Sequence, residues 1–170
     1  MPKSGPEKRR DPSDALRRAL RFEQEGKRFF TAASAKSTDP FARQVFALLA
    51  QMETKHMEDI REIARRLEGE GRFPRVSTAP HEARMRLFRR EQSRIRREKL
   101  ISGDAADGMR RALAFEAEGR EVYSRMSRAA TNPQEKRFFK LLSVEEDGHF
   151  QIIYEYLEFL EDKGLRMQDG

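Results

Sequence analysis

The fold is decided by a stretch that occurs twice, as DALRRALRFEQEG at residues 14–26 and as DGMRRALAFEAEG at residues 107–119. The second copy begins 93 residues after the first, and the same offset relates Pro40 to Pro133 without a gap. A single register kept over this length indicates that one structural unit was duplicated.

Each copy predicts a pair of helices. In the quoted stretch, apolar residues recur at three- and four-residue spacing, which is the pattern of one buried helical face. Ser13 or Asp14 is the expected cap of the first helix, and Asp104 or Asp107 is the expected cap of its copy. The second helices are expected over 40–67 and 133–160.

Two helical hairpins bury their apolar faces only against each other, so the sequence predicts an all-α fold, a four-helix bundle built from duplicated hairpins. Prolines suit the first turns of the second helices, and Gly69 and Gly164 stand where those helices are expected to stop. The long crossover between the hairpins contains a basic amphipathic stretch, His81–Leu100, which predicts an additional helix.

The expected organisation is one bundle with short extensions at both ends. A flexible basic N-terminus precedes the bundle, and a short tail follows it. The boundaries are 1–11 for the N-terminus, 12–69 for hairpin one, 70–102 for the crossover, 103–163 for hairpin two and 164–170 for the C-terminal tail, so that the bundle spans 12–163.

Composition limits the chemistry. The 170 residues include no cysteine, which excludes disulfides, thiolate zinc sites and cysteine-held iron–sulfur clusters within this sequence. Any metal must therefore be held by carboxylate and imidazole groups, which suit iron, manganese or zinc. No apolar run is long enough to cross a bilayer, so no membrane association is expected.

The net charge of +6 at pH 7 raises the alternative of a basic helical module that binds nucleic acid. Basic residues are spread along the whole chain and are densest over 84–99, so we expect no nucleic-acid partner. The basic N-terminus is not followed by an apolar segment, and the predicted location is therefore cytoplasmic.

Six residues on the predicted inner faces carry the chemistry. Glu53 and His56 lie one helical turn apart, as do Glu146 and His149, and so each pair points in one direction. An inward glutamate precedes each pair on the preceding helix. The candidate metal ligands are Glu23, Glu53, His56, Glu116, Glu146 and His149.

Unpaired carboxylates are very costly to bury, and two divalent cations would offset that cost. Four glutamates with two Glu-x-x-His pairs form a known pattern of bundle cores that hold two metals. The alternative is that the Glu-x-x-His pairs are exposed and that the repeat is only inherited architecture.

The segments EQEGKRFF at 23–30 and EAEGREVY at 116–123, with ETKH at 53–56 and EDGH at 146–149, resemble rubrerythrins of the ferritin-like di-iron carboxylate family. The resemblance covers about residues 12–163. It implies a ferritin-like bundle with two iron ions, each bound by one histidine. It also implies that Glu53 and Glu146 bridge the metals and that Glu23 and Glu116 are terminal ligands.

Three departures from that family qualify the comparison. Without cysteine the chain resembles the forms that lack a rubredoxin domain, and it would need an external electron donor such as rubredoxin. Leu113 stands where the family often carries an extra glutamate that lets an iron shift position. Tyr123 in one repeat corresponds to Phe30 in the other, so only one half has a phenol for a hydrogen bond to the site.

The resemblance implies an oxidoreductase that reduces hydrogen peroxide, with a dioxygen-using ferroxidase as the close rival. A di-iron monooxygenase acting on an organic substrate ranks lower, because no extra apolar segment is present for membrane docking. A homodimer is expected, and both a compact bundle within one chain and a hairpin-swapped dimer remain open.

Gly26, Gly119 and Glu145 each have two possible interpretations. Gly26 and Gly119 could open space for the oxidant or allow close helix packing. Glu145 could orient a histidine ligand or lie solvated at the surface. His81 is expected to be a surface histidine.

Overall fold

The computed structural model describes residues 11–79 and 106–168, together with a few positions between 82 and 93. Four long helices fill most of the described residues, and these residues include no strand. The helices are α1 Pro12–Lys36, α2 Pro40–Glu70, α3 Ala106–Ala129 and α4 Pro133–Gln168. The predicted all-α architecture is confirmed for this part of the chain.

The helices pair as the duplication predicts. Helix α1 packs along α2 and α3 packs along α4, while α1 and α3 lie side by side and join the two hairpins. The rings of Phe22 and Phe115 stack across that junction with their centroids 4.8 Å apart. Both hairpins of a single chain therefore contribute to one bundle.

Side-chain caps set the starts of α1, α2 and α4. Of the two caps expected for α3, Asp107 lies inside the helix, and Asp104 lies outside the described residues. Asp11 caps α1 by accepting a hydrogen bond from the Ser13 N–H at 2.9 Å, two or three residues before the predicted cap. Asp39 accepts from the Ala42 N–H at 2.7 Å at the start of α2, and Asn132 accepts from two amides at the start of α4. Each cap precedes a proline, whose missing N–H needs no partner at the first helical position.

Two helix ends differ from the prediction. Helix α2 passes through Gly69 and ends at Gly71, whose φ of 64° is left-handed and whose N–H donates to the Leu67 carbonyl oxygen at 2.9 Å. Helix α4 continues through Gly164 to Gln168, past the stop expected there. A glycine inside a helix costs only about 1 kcal/mol relative to alanine, so it stops a helix only where it also adopts a capping conformation.

The crossover begins by packing back onto the bundle. Phe73 and Val76 are buried, and the Phe73 ring lies 6.2 Å from that of Phe138 on α4. The Val76 N–H donates to the Gln134 side-chain oxygen at 2.9 Å. Further along, the described positions Glu82 to Ser93 are helical, whereas His81 and most of the predicted crossover helix lie outside the described residues.

The apolar core consists of two clusters. One surrounds Phe30, Phe46 and Ile153, and the other surrounds Leu16 and Phe139. Along each helix the candidate ligands fall between residues of these two clusters, so they lie at mid-bundle with apolar packing on both sides. None of the described helices is long and apolar enough to cross a membrane.

Candidate metal centre

Six acidic and histidine side chains meet in the middle of the bundle. Helices α1 and α3 supply one glutamate each, and α2 and α4 each supply one glutamate and one histidine. No member is more than 1% exposed, so the alternative of solvent-facing Glu-x-x-His pairs is wrong. The six residues are those predicted from the sequence, namely Glu23, Glu53, His56, Glu116, Glu146 and His149.

The six side chains form two overlapping groups, and within each group four ligand atoms lie within 4.8 Å of one another. The group named here the Glu23 position consists of Glu23, Glu53, His56 and Glu146. The group named the Glu116 position consists of Glu53, Glu116, Glu146 and His149. Because Glu53 and Glu146 belong to both groups, the arrangement suits two cations that share two carboxylates.

Both histidines direct Nδ1 into the carboxylate cluster. Nδ1 of His56 lies 3.1 Å from Glu23 Oε2 and 3.2 Å from Glu146 Oε1. Nδ1 of His149 lies 3.4 Å from Glu116 Oε2 and 3.6 Å from Glu146 Oε2. Because Nδ1 faces the carboxylates in both residues, it is the nitrogen that each histidine would offer to a metal. The two rings stack with centroids 5.5 Å apart.

Glu145 holds the far side of the His56 ring. It is buried, and its Oε2 lies 3.0 Å from His56 Nε2. The sequence left open whether Glu145 orients a histidine or is solvated. The solvated interpretation is wrong, because the side chain points from α4 toward α2. A carboxylate at Nε2 fixes the tautomer that leaves Nδ1 available to a metal.

Replacing Glu145 with alanine is expected to weaken metal binding by about 10- to 100-fold, because outer carboxylates of this kind orient ligand imidazoles. Glu145→Gln should lose less, since its amide oxygen can still accept from Nε2. Chelator-competition titrations measure the change, with Glu158→Ala on the exposed face of α4 as the matched control. Equal affinities in the Glu145→Ala and control variants would contradict the orienting role.

Tyr123 supports the same half of the cluster. Its hydroxyl donates a hydrogen bond to Glu23 Oε1 across the junction between the hairpins. Burial, followed by the nearby Glu23 carboxylate, raises the pKa of Tyr123 well above its usual value. The phenol therefore stays protonated and acts as a donor, which agrees with the predicted hydrogen bond from one repeat only.

The electrostatics of the cluster show an excess of carboxylate. Burial raises the pKa of Glu53 well above its usual value, and the charges of Glu23 and Glu146 add to the effect. Burial likewise raises the pKa of Glu116. Burial alone would lower the pKa of His56, but the surrounding carboxylates, led by Glu23, outweigh it and raise that pKa. Four carboxylates thus face two imidazoles, and the excess of acidic groups is one that cations would offset.

Unsatisfied oxygens indicate what the cluster lacks. Both side-chain oxygens of Glu53, Glu116 and Glu146 are buried without a hydrogen bond in the described part of the chain. Buried carboxylate oxygens are normally hydrogen-bonded or bound to metal. Their convergence with two imidazole nitrogens fits divalent cations of the iron, manganese or zinc type.

Two glycines make room for the shared carboxylates. A Cβ at Gly26 would lie 3.2 Å from Glu53 Cδ and 2.8 Å from a ring carbon of Phe115. A Cβ at Gly119 would lie 3.2 Å from Glu146 Oε2 and 3.0 Å from a ring carbon of Phe22. Both glycines therefore allow close helix packing, as one interpretation of the sequence expected. Each also leaves space for a glutamate that belongs to both metal positions.

Gly26→Ala is expected to destabilise the protein by about 1–3 kcal/mol, since overpacking forces a ring or a carboxylate to move. Gly69→Ala is the matched control, because no atom lies within 4 Å of its added Cβ and helix propensity alone favours alanine by about 1 kcal/mol. Thermal unfolding should therefore shift in opposite directions for the two variants. A rise in melting temperature for both would show that the space at Gly26 is not required.

The sequence analysis missed the aromatic pair Phe22 and Phe115, which directly precede Glu23 and Glu116. Phe22 and Phe115 are partly buried, stack on each other and fill the space above the two glycines. Their duplication at the same 93-residue offset as the ligands was the available signal.

The fold and the cluster together define an all-α bundle with a buried glutamate and histidine site that could hold metal ions. The chain matches no protein-family model, and it shows no significant similarity to any curated protein or solved structure with which it was compared. The function of the chain must therefore be inferred from the geometry of the site itself.

Proposed function

We propose that this chain is a rubrerythrin-like, ferritin-like di-iron oxidoreductase that reduces hydrogen peroxide. The observation that carries the proposal is the pair of buried four-ligand groups sharing Glu53 and Glu146. The resemblance of the ligand segments to rubrerythrins supports iron and peroxide as the specific chemistry. Because the sequence lacks cysteine, the electrons must come from an external donor such as rubredoxin.

The roles of the side chains follow from their positions. Glu23 and His56 would hold one metal, Glu116 and His149 the other, and Glu53 and Glu146 would contact both. A bound pair of ferrous ions would supply the two electrons that, with two protons, reduce hydrogen peroxide to two waters. The shared carboxylates would offset the charge of the cations.

Tyr123 positions a ligand in this scheme. Its hydroxyl is bonded to Glu23 Oε1, which leaves Oε2 directed at His56 Nδ1, 3.1 Å away. When one oxygen of a carboxylate is held by a hydrogen bond, the other oxygen points in a fixed direction. Metal binding then costs less conformational entropy.

Leu113 favours a second candidate function, ferroxidase activity with dioxygen. It is partly buried against the apolar core cluster around Phe30 and offers no ligand atom. In the rubrerythrins the extra glutamate expected at this place lets an iron shift position. Its replacement by leucine removes a feature tied to peroxidase efficiency, while the six ligands would still bind and oxidise ferrous iron.

The deciding experiment is an anaerobic titration of metal-free protein with Fe(II), followed by rapid mixing with either peroxide or dioxygen. We expect saturation at two irons per chain and faster oxidation by peroxide. A Glu53→Ala/Glu146→Ala variant should show neither. Faster oxidation by dioxygen, with iron leaving the site, would favour the ferroxidase. The absence of stoichiometric binding by the unmodified protein would overturn both proposals.

A further inference from the structure

The duplication allows the two metal positions to be compared residue by residue. Each position has its own terminal glutamate and its own histidine, and both share Glu53 and Glu146. The ligand types are therefore identical. Any difference in metal affinity must arise from the groups that surround the ligands.

The terminal glutamates differ in how firmly they are held. Glu23 has a hydrogen bond at each oxygen, from the Tyr123 hydroxyl at Oε1 and with His56 Nδ1 at Oε2. Glu116 has no hydrogen bond at either oxygen within the described residues, and its equivalent contact, between Oε2 and His149 Nδ1, is longer at 3.4 Å. The residue that corresponds to Tyr123 is Phe30, which is fully buried and has no hydroxyl.

The repeats also differ at the residue that precedes the second helices' ligands, which is Glu145 in one repeat and Met52 in the other. His56 Nε2 is bonded to the buried carboxylate of Glu145. The residue at the equivalent place in the first repeat is Met52, a buried member of an apolar cluster. A thioether is a weak acceptor, so Met52 does not offer the carboxylate that Glu145 offers at the equivalent place.

We propose that the two positions fill in sequence, the Glu23 position first and more tightly, and the Glu116 position second and more weakly. This inference rests on the proposed di-metal function. Tyr123 and Glu145 both orient ligands of the Glu23 position, which is therefore ordered before metal arrives. Outer groups of this kind each change metal affinity by about 10- to 100-fold. The Glu116 position is then the one at which metal exchanges with solution.

The test is an anaerobic titration of the metal-free full chain with Co(II), followed by visible absorption and calorimetry. We expect two steps whose dissociation constants differ by at least about 10-fold. His56→Ala should remove the tight step, and His149→Ala should remove only the weak one. Two steps of equal affinity, or loss of the tight step in His149→Ala, would overturn the order while leaving the di-metal site intact. No binding at all would overturn the site as well.

Reciprocal variants separate the contribution of Tyr123 from repulsion between the two cations, which would weaken the second step in any dinuclear site. Tyr123→Phe should weaken the tight step by about 10-fold and bring the two constants together. Phe30→Tyr should instead strengthen the weak step. Tyr156→Phe removes a buried hydroxyl near Asp39 and serves as the control, with both constants unchanged. An unchanged ratio in Tyr123→Phe would overturn the assignment to this hydroxyl.

Discussion

A Glu53→Leu/Glu146→Leu variant is expected to lose stoichiometric metal binding and, without metal, to be more stable than the parent protein. These two glutamates belong to both four-ligand groups, so their removal disables both positions at once. Four of the buried oxygens without a hydrogen bond belong to them. Replacing buried charge with apolar side chains of similar size often stabilises a protein by about 1–4 kcal/mol.

The gain in stability follows from the charge balance of the core. With Glu145 included, five carboxylates surround two imidazoles in the metal-free protein. The variant retains three carboxylates for the same two imidazoles, and His56 keeps its contacts with Glu23 and Glu145. Fewer ionisable groups then have to be protonated, or buried as charges, in the folded state.

Urea unfolding in the presence of a chelator measures this effect, and calorimetric titration measures the loss of binding. Glu118→Leu, at an exposed position on α3, is the matched control for the change in hydrophobicity. A variant that is less stable than the parent would indicate that the cluster is a structural ion-pair network. Retained binding of two metals would show that the shared glutamates are not ligands.

Much of the architecture is predictable from the sequence because the duplication is strong and the local signals agree with it. Asp39 and Asn132 each precede a proline, and both cap a helix. The helix ends were less predictable, since Gly69 and Gly164 resemble stops but lie inside helices. Only the backbone conformation, left-handed at Gly71, distinguishes a capping glycine from one tolerated within a helix.

The composition of the site was predictable from spacing, but its support was only partly so, since Glu145 had two possible interpretations. Helical periodicity places the glutamates and histidines on inner faces, whichever residues surround them. The contact of Glu145 with His56 depends on the relative rotation of two helices from different hairpins. The clash that a Cβ at Gly26 would make depends on how close α1 lies to α2 and α3. Neither the rotation nor the separation of packed helices can be predicted from a local sequence pattern, because both depend on how the hairpins pack together.

Metal binding is expected to stabilise the folded protein by about 4 kcal/mol for each site at a free metal concentration a thousandfold above its dissociation constant. For a domain of this size, 1 kcal/mol corresponds to about 2–4 °C in melting temperature, so one filled site should raise it by about 8–16 °C. The carboxylates that repel one another in the metal-free core become ligands in the loaded one, and so the same residues change from a destabilising to a stabilising role.

Differential scanning calorimetry over a series of Mn(II) or anaerobic Fe(II) concentrations measures this shift. The melting temperature should keep rising with metal concentration, because each tenfold increase adds about 1.4 kcal/mol for every occupied site. The Glu53→Leu/Glu146→Leu variant should show no such rise, although its metal-free form melts higher than that of the parent. A melting temperature independent of metal in the parent, or a parallel rise in both proteins, would place the stabilising ions elsewhere and remove the basis for a dinuclear centre in the bundle.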